Sequence, residues 1–184
     1  PKATTTTDVT RDVLISALAD KFHLEVVTTT HRGHAGELAE RARTEGMDCI
    51  LTLGGDGTVH EVINGLLAAG PLPTLPVLGT VPGGSANVFA RALGFPQDAV
   101  ESTGLLLRAM REGTTRTIGL GMVDDRYFTF TTGLGIDAEI MMRMDAARAK
   151  GKAATPTRYL ATTLTHFLRG SERKTPSLVL HRPG

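Results

Sequence analysis

The chain is poor in the residues that usually announce a special class of protein. Among its 184 residues there is one cysteine, Cys49, and no tryptophan. A lone cysteine excludes an intrachain disulfide framework. The six histidines show no close Cys/His spacing of the zinc type. Cys49 sits in the apolar run CILTL and reads as a buried strand residue. Charge of one sign is lacking too: 20 basic against 19 acidic residues leave a formal net charge of +1. That is not the basic excess of a nucleic-acid binder, so no nucleic-acid partner is expected. No apolar run approaches the roughly 18 residues of a membrane span, and no signal-peptide pattern opens the chain. Any membrane contact is therefore expected to be peripheral. The chain begins at Pro1 rather than Met, which points to a natural N-terminus further upstream.

What is present is a globular α/β pattern. With 41% apolar and 21% charged residues, the chain can bury a real core. Val9, Val13, Leu14, Ala17 and Leu18 recur with helical spacing and predict a helix over 8–21. LEVVT (24–28) predicts a strand, followed by a polar loop, TTHRGHA. Ala35, Leu38, Ala39 and Ala42 mark a second helix ending before Gly46. CILTL (49–53) reads as a strand with both faces apolar, as in a covered parallel sheet. Val59, Val62, Ile63, Leu66 and Leu67 form a third helix, stopped by Gly70 and Pro71. LPVLGTV (75–81) is a further strand, and helices follow around Phe89 to Leu93 and over 99–111. This alternation predicts a Rossmann-like parallel sheet in an N-terminal α/β domain, 1–113. Because it opens on a helix, a first strand is expected to be missing. Near 114 the character changes. RTIGLGMV and RYFTFTT flank Asp124-Asp125 as a hairpin. GLGIDAEIMMRM, a Lys/Arg/Ala/Gly linker, a helix carrying Tyr159 to Leu168, and the strand-like SLVLHRPG complete the chain. The expectation is an incomplete β-rich second domain over 114–184.

Two glycine clusters carry the chemistry. GGDGT, Gly54 to Thr58, lies between a strand and a helix, at the sheet edge where open α/β folds bind ligands. Glycine lets the backbone come close to a ligand, and the helix start offers free N–H groups and partial positive charge. Together these make a phosphate cradle. Asp56 is anomalous there, because a carboxylate repels phosphates unless it meets Mg²⁺ or handles a proton. The plainer reading is a tight turn capped by Asp56 or Thr58. PGGSANVFARALG repeats the geometry on the next strand, so the two turns can face one cleft, one holding phosphates and the other the nucleoside. Ser85 and Asn87 offer uncharged hydrogen bonds. Asn87 could equally be a helix cap, and Arg91 a solvated helix residue.

These motifs resemble the diacylglycerol kinase catalytic family, which includes bacterial diacylglycerol and related lipid kinases and, among its relatives, sphingosine and ceramide kinases. GGDGTVHEVINGL is similar to the family's GGDGT-x-N-E-V-x-N-G-L, and PGGSANVFAR to its P-x-G-T-x-N-D-F-A-R. PKATTTT, TTHRGHA and RYFTFTTGLGIDAE resemble its other segments, in order. GGDGT alone is shared with NAD kinases; the ordered set is far more specific. The resemblance implies a Rossmann-like domain followed by a β-sandwich, here truncated, with ATP in the cleft. It implies Thr29, Gly54, Gly55, Asp56, Gly57, Thr58, His60, Glu61, Ser85 and Asn87 as nucleotide contacts. Asp56 would also act catalytically, organising the Mg²⁺–phosphate end. The metal ligands are otherwise open, and the resemblance puts the general base beyond residue 184. The fragment alone is therefore expected to be inactive.

The departures are specific. His60 replaces an Asn, Val88 an Asp that commonly follows Asn87, and Gly119 an Asp of many members; the last two contribute to an acidic metal network in some bacterial relatives. His60 is either an exposed first-turn residue or a hydrogen-bonding replacement. The expected activity is an ATP- and Mg²⁺-dependent lipid kinase acting on the hydroxyl of diacylglycerol or a related lipid. It would be cytoplasmic, in peripheral contact with the membrane surface. Met141, Met142, Met144 and the helix from Tyr159 to Leu168 could touch lipid or pack as core, and the Arg148–Lys152 run could touch anionic headgroups or be a solvated linker. A homodimer is left open. The alternatives are an NAD kinase-like enzyme, against which the second cluster speaks, and a non-catalytic nucleotide-binding module, motivated by Val88 and Gly119.

Overall fold

The computed structural model describes residues 8–133, 136–149 and 156–169. PKATTTT, SLVLHRPG and the two lysines of the 148–152 run lie outside the described residues. The described residues form two compact units that divide between Phe130 and Thr131.

The first unit runs α1 (Asp8–Ala19), α2 (His34–Thr44), β1 (Cys49–Gly54), α3 (Asp56–Leu66), β2 (Val77–Pro82), α4 (Val88–Ala92), α5 (Ala99–Glu112), β3 (Gly121–Val123) and β4 (Arg126–Phe128). β1 and β2 pair in parallel, Cys49 opposite Val77 through to Gly54 opposite Pro82. α3 is the crossover between them. In-register partners share a face, so the two faces are chemically distinct. Leu51, Leu53 and Val81 pack with α1 and α5 through Leu14, Leu18 and Leu106. Ile50 and Leu78 pack with α2 and α3 through Ala35, Ala39, Val62 and Leu66. Fully burying each valine, leucine or isoleucine among them is worth about 1.5–3 kcal/mol, and the alanines less. This is the parallel α/β arrangement expected from CILTL and LPVLGTV.

The expected strand over 24–28 does not form; residues 23–30 are irregular. Leu24 packs on the core, but Val26 and Val27 are 51% and 44% exposed. β-branched residues favour a strand only where a neighbour accepts their hydrogen bonds and covers a face.

α5 shows the local logic of helix ends. Asp98 caps it, its carboxylate accepting from the N–H groups of Val100 and Glu101 at 2.9 Å. Gly113, at φ 64, closes it in the left-handed region.

The antiparallel β3–β4 hairpin turns at Asp124-Asp125 as expected, with Met122 opposite Tyr127. Each strand is only three residues long. Ile118, Leu120 and Tyr127 pack against Val59, Ile63 and Phe89. The expected break near 114 therefore falls inside the first unit, because this segment covers α3 and α4.

In the second unit, α6 (Ile136–Ala149) and α7 (Pro156–Arg169) are both helices, so its described part is helical rather than β-rich. The methionine cluster splits. Met144 is buried beside Ile140, whereas Met141 and Met142 are exposed. On α7, Tyr159, Leu160 and Leu164 are exposed.

Candidate functional site

Gly54 ends β1, and its successor Gly55 caps α3 without a side-chain hydrogen bond. Asp56 is the first residue of the helix, so neither it nor Thr58 is the cap. Of the first-turn N–H groups, that of Thr58 donates to the Gly55 carbonyl at 3.0 Å; those of Asp56 and Gly57 come too early in the helix for an intrahelical acceptor, and no side chain covers them from the cap position. Thr58 folds back over the turn: a Cβ at Gly54 would come within 2.8 Å of its Oγ1. Gly57 is exposed, with nothing near its missing Cβ.

The second turn is joined to the first at three places. The Gly83 N–H donates to the Gly54 carbonyl at 2.8 Å. Gly55 and Gly84 stack backbone on backbone, and a Cβ on Gly84 would stand 2.6 Å from the Gly55 Cα. The Phe89 N–H, at the start of α4, donates to Asp56 Oδ1 at 2.9 Å. The two turns touch there, so a side chain at 84 would clash with backbone, and one at 55 would press on the Gly84 Cα at 3.1 Å.

Asn87 has left-handed backbone, φ 47, a conformation Asn tolerates better than most residues. It occupies the cap position of α4 but makes no side-chain cap bond. Its Oδ1 accepts from the Gly84 N–H and its Nδ2 donates to the Gly84 carbonyl, both at 2.9 Å. The side chain is only 7% exposed, so it braces the turn from inside. Ser85 and Arg91 are exposed, and Val88 is half-buried at the first position of α4.

His60 and Glu61 lie one turn further along α3. His60 is half-buried rather than an exposed first-turn residue. Burial first, then the Arg126 guanidinium, push its pKa below the usual 6.5; Glu61 and the Tyr127 backbone pull the other way. The Glu61 carbonyl faces Gly36 of α2, where a Cβ would stand 3.2 Å away. Thr29 lies half-buried in the irregular segment before α2. The structure thus brings Gly54 to Thr58, His60, Glu61, Ser85 and Asn87 onto two joined turns and one helix, and leaves Thr29 on the neighbouring loop. Gly119 is exposed in the irregular segment before β3. Among the described residues, no three His, Cys, Asp or Glu side chains converge on a metal-sized site.

Two residues that sequence reasoning passed over hold the site's main helix. Gly65 presses the α3 backbone onto Gly36 of α2. Asn64 hydrogen-bonds the Tyr127 backbone of β4. The Asn-Gly pair inside an amphipathic helix, where both residues are poor helix formers, was the available signal.

Comparison with known proteins agrees with this geometry. Residues 2–123 match the diacylglycerol kinase catalytic domain. A diacylglycerol kinase of Bacillus subtilis (strain 168) is 40% identical over 108 residues, 58% of this chain and 33% of its own length. A "Probable lipid kinase YegS-like" protein of Chromohalobacter salexigens is 37% identical over 118 residues, 64% of this chain and 36% of its own. A crystal structure of a diacylglycerol kinase from Bacillus anthracis str. Sterne aligns with a TM-score of 0.52 at 32% identity, covering 58% of this chain and 38% of that one. The chain spans about a third of the length of the curated relatives it matches. With the match running through both glycine turns and on to β3, the chain belongs to the diacylglycerol kinase catalytic domain family.

Proposed function

We propose that this chain is the nucleotide-binding part of an ATP-dependent lipid kinase that phosphorylates the hydroxyl of diacylglycerol or a related lipid. The observation that carries the reading is the joining of GGDGT to PGGSAN at Gly54–Gly83, Gly55–Gly84 and Asp56–Phe89. It occurs in a chain of the diacylglycerol kinase catalytic family.

The residues suit a nucleotide. The uncapped start of α3 offers N–H donors and the positive end of the helix dipole to phosphates, and Gly57 leaves that surface open. Thr58, His60, Glu61, Ser85 and Thr29 would lie around it. Asn87 would act by shaping the turn, since both ends of its amide already serve Gly84. Asp56 suits a magnesium ion. Its Oδ1 is held by Phe89, which orients the carboxylate beside the phosphate end. When bound, magnesium–ATP supplies the phosphoryl group and neutralises charge on it. What the protein contributes is positioning and electrostatics. The general base would come from sequence beyond residue 184, and a β-sandwich would complete the second domain. The lipid would be met at a membrane surface by peripheral contact; no described helix is long and apolar enough to cross a membrane.

The test is transfer of labelled γ-phosphate by the whole gene product, with diacylglycerol, other lipid alcohols and NAD as separate acceptors. Label in a lipid is the expected result. Label in NAD alone, or ATP binding with no transfer, would overturn it. The second outcome would favour a non-catalytic nucleotide module, the reading that Val88 and Gly119 motivate.

A further inference from the structure

Asn64 lies about two turns beyond Asp56 on α3. Its Nδ2 donates to the Tyr127 carbonyl at 3.0 Å, and its Oδ1 accepts from the Tyr127 N–H at 3.0 Å. The same Nδ2 donates to the His60 carbonyl at 2.9 Å. A primary amide has two donors and an acceptor oxygen, and all are engaged. In an antiparallel pair, alternate residues turn their N–H and C=O away from the partner strand. Tyr127 turns both toward Asn64, whose amide stands in for another strand.

These bonds are directional where most contacts around α3 are not. Val59, Ile63 and the apolar side chains of the hairpin meet through dispersion, which is non-directional and summed over many atom pairs, so it does not by itself single out one donor–acceptor alignment. A paired donor and acceptor lose strength quickly when a helix slides or rolls out of that alignment. The other fixed points of α3 point elsewhere: Gly65 bears on Gly36 of α2, and Asp56 on Phe89 of α4.

We propose that Asn64 is a positioning residue for the nucleotide: by gripping Tyr127 it fixes α3 along and around its axis, and so sets where the first turn of that helix meets the phosphates. The inference rests on the nucleotide reading of GGDGT given above. It does not depend on which acceptor receives the phosphate. Asn64 itself touches no nucleotide. It acts through α3, and small displacements of a phosphate-binding element are costly, with 1 Å able to cost about 100-fold in rate.

The experiment compares the whole gene product with its Asn64→Asp and Asn64→Ala variants. N64D keeps an acceptor for the Tyr127 N–H but sets a carboxylate against the carbonyls of Tyr127 and His60. N64A leaves the Tyr127 groups to water. The readouts are KM for ATP, kcat, and directly measured ATP affinity, with thermal unfolding alongside. Positioning predicts a rise of about tenfold in KM for ATP in N64D and a smaller rise in N64A, mirrored in the binding constant. A purely structural role predicts a lower unfolding temperature and a smaller active fraction, with KM unchanged. Unchanged KM and affinity in both variants would overturn the inference. Should N64D fail to fold, Asn64→Gln keeps the amide and displaces it by one methylene. Its KM is expected to rise about threefold, and an unchanged value counts against the inference equally. If the unaltered protein binds ATP but phosphorylates no lipid, the kinase reading fails, and the comparison of ATP affinities still decides the role of Asn64.

Discussion

Replacing Gly65 by alanine adds one methyl group to the chain and should unseat two helices. A Cβ at this position would lie against the carbonyl oxygen of Gly36, 2.8 Å from its carbonyl carbon and 2.9 Å from its Cα. Carbon atoms settle at about 3.5–4.0 Å, so α2 and α3 must part by roughly 1 Å. No flexible side chain can give way, because the obstacle is backbone. Parting the helices also loosens Ala35, Ala39, Val62 and Leu66, which pack at the same crossing. Overpacking of this kind costs about 1–3 kcal/mol, and rigid backbone on both sides argues for the upper end. Alanine returns about 0.8–1 kcal/mol through its better helix propensity. The net expectation is a loss of about 2 kcal/mol, read by urea unfolding as a lower midpoint at unchanged slope. Gly104 is the matched control. It lies inside α5, is exposed, and has nothing within 4 Å of a would-be Cβ. There the same substitution should raise stability, by up to about 1 kcal/mol. A G65A protein as stable as the unaltered one, or more stable, would refute the steric argument.

Other substitutions separate the roles of single groups. Asp56→Ala should lose about 1–3 kcal/mol of stability, since the Phe89 N–H is left without its acceptor. Asp56→Asn should keep most of that stability yet lower phosphoryl transfer by at least about 100-fold in the whole gene product. Full activity in D56N would remove the metal role. His60 has a folded-state pKa below its unfolded value of 6.5. Its contribution is fully present above 6.5, where the ring is neutral in both states, and is lost as pH falls from 6.5 through the folded pKa. His60→Gln should therefore flatten the fall in stability below pH 6.5, and an identical pH profile for the variant would contradict this assignment. Asp98→Ala removes a cap that accepts two N–H bonds and should cost about 1 kcal/mol in thermal or urea unfolding.

The sequence was legible wherever a pattern had a single cause. Helical spacing of Val59, Val62, Ile63 and Leu66 has one reading, and α3 lies there with those residues buried. CILTL and LPVLGTV were apolar on both faces because both faces are covered, by α1 and α5 on one side and α2 and α3 on the other. LEVVT looked the same locally, but a strand depends on neighbours that its own residues do not encode, and 24–28 is irregular. At the site, composition pointed to the two glycine turns, and family likeness to their relation. What neither conveyed was that the turns touch. Gly55 and Gly84 are 29 positions apart, and their stacking follows from the parallel register of β1 on β2. Asn64 was hidden for a similar reason, since its partner Tyr127 lies 63 residues away.

The structure also changes the question posed by Asp56. In the sequence, a carboxylate in a phosphate-binding turn is explained by a cation, by proton handling or by a helix cap, and Asp56 is not the cap. Its bond to the Phe89 N–H supplies a second reason for an oxygen acceptor at this place, as a latch between α3 and α4. An asparagine could serve the latch, because a neutral amide oxygen accepts the same bond. The favourable setting of a carboxylate at a helix start adds about 0.3–1 kcal/mol at an exposed position and up to about 2 kcal/mol at a partly buried one, as Asp56 is. Latching alone therefore gives little reason for the charge, and the charge is unfavourable once phosphates arrive. The negative charge has a clear use only beside a cation. The latch and the cation are separable on physical grounds: geometry needs the oxygen, and the chemistry needs the charge.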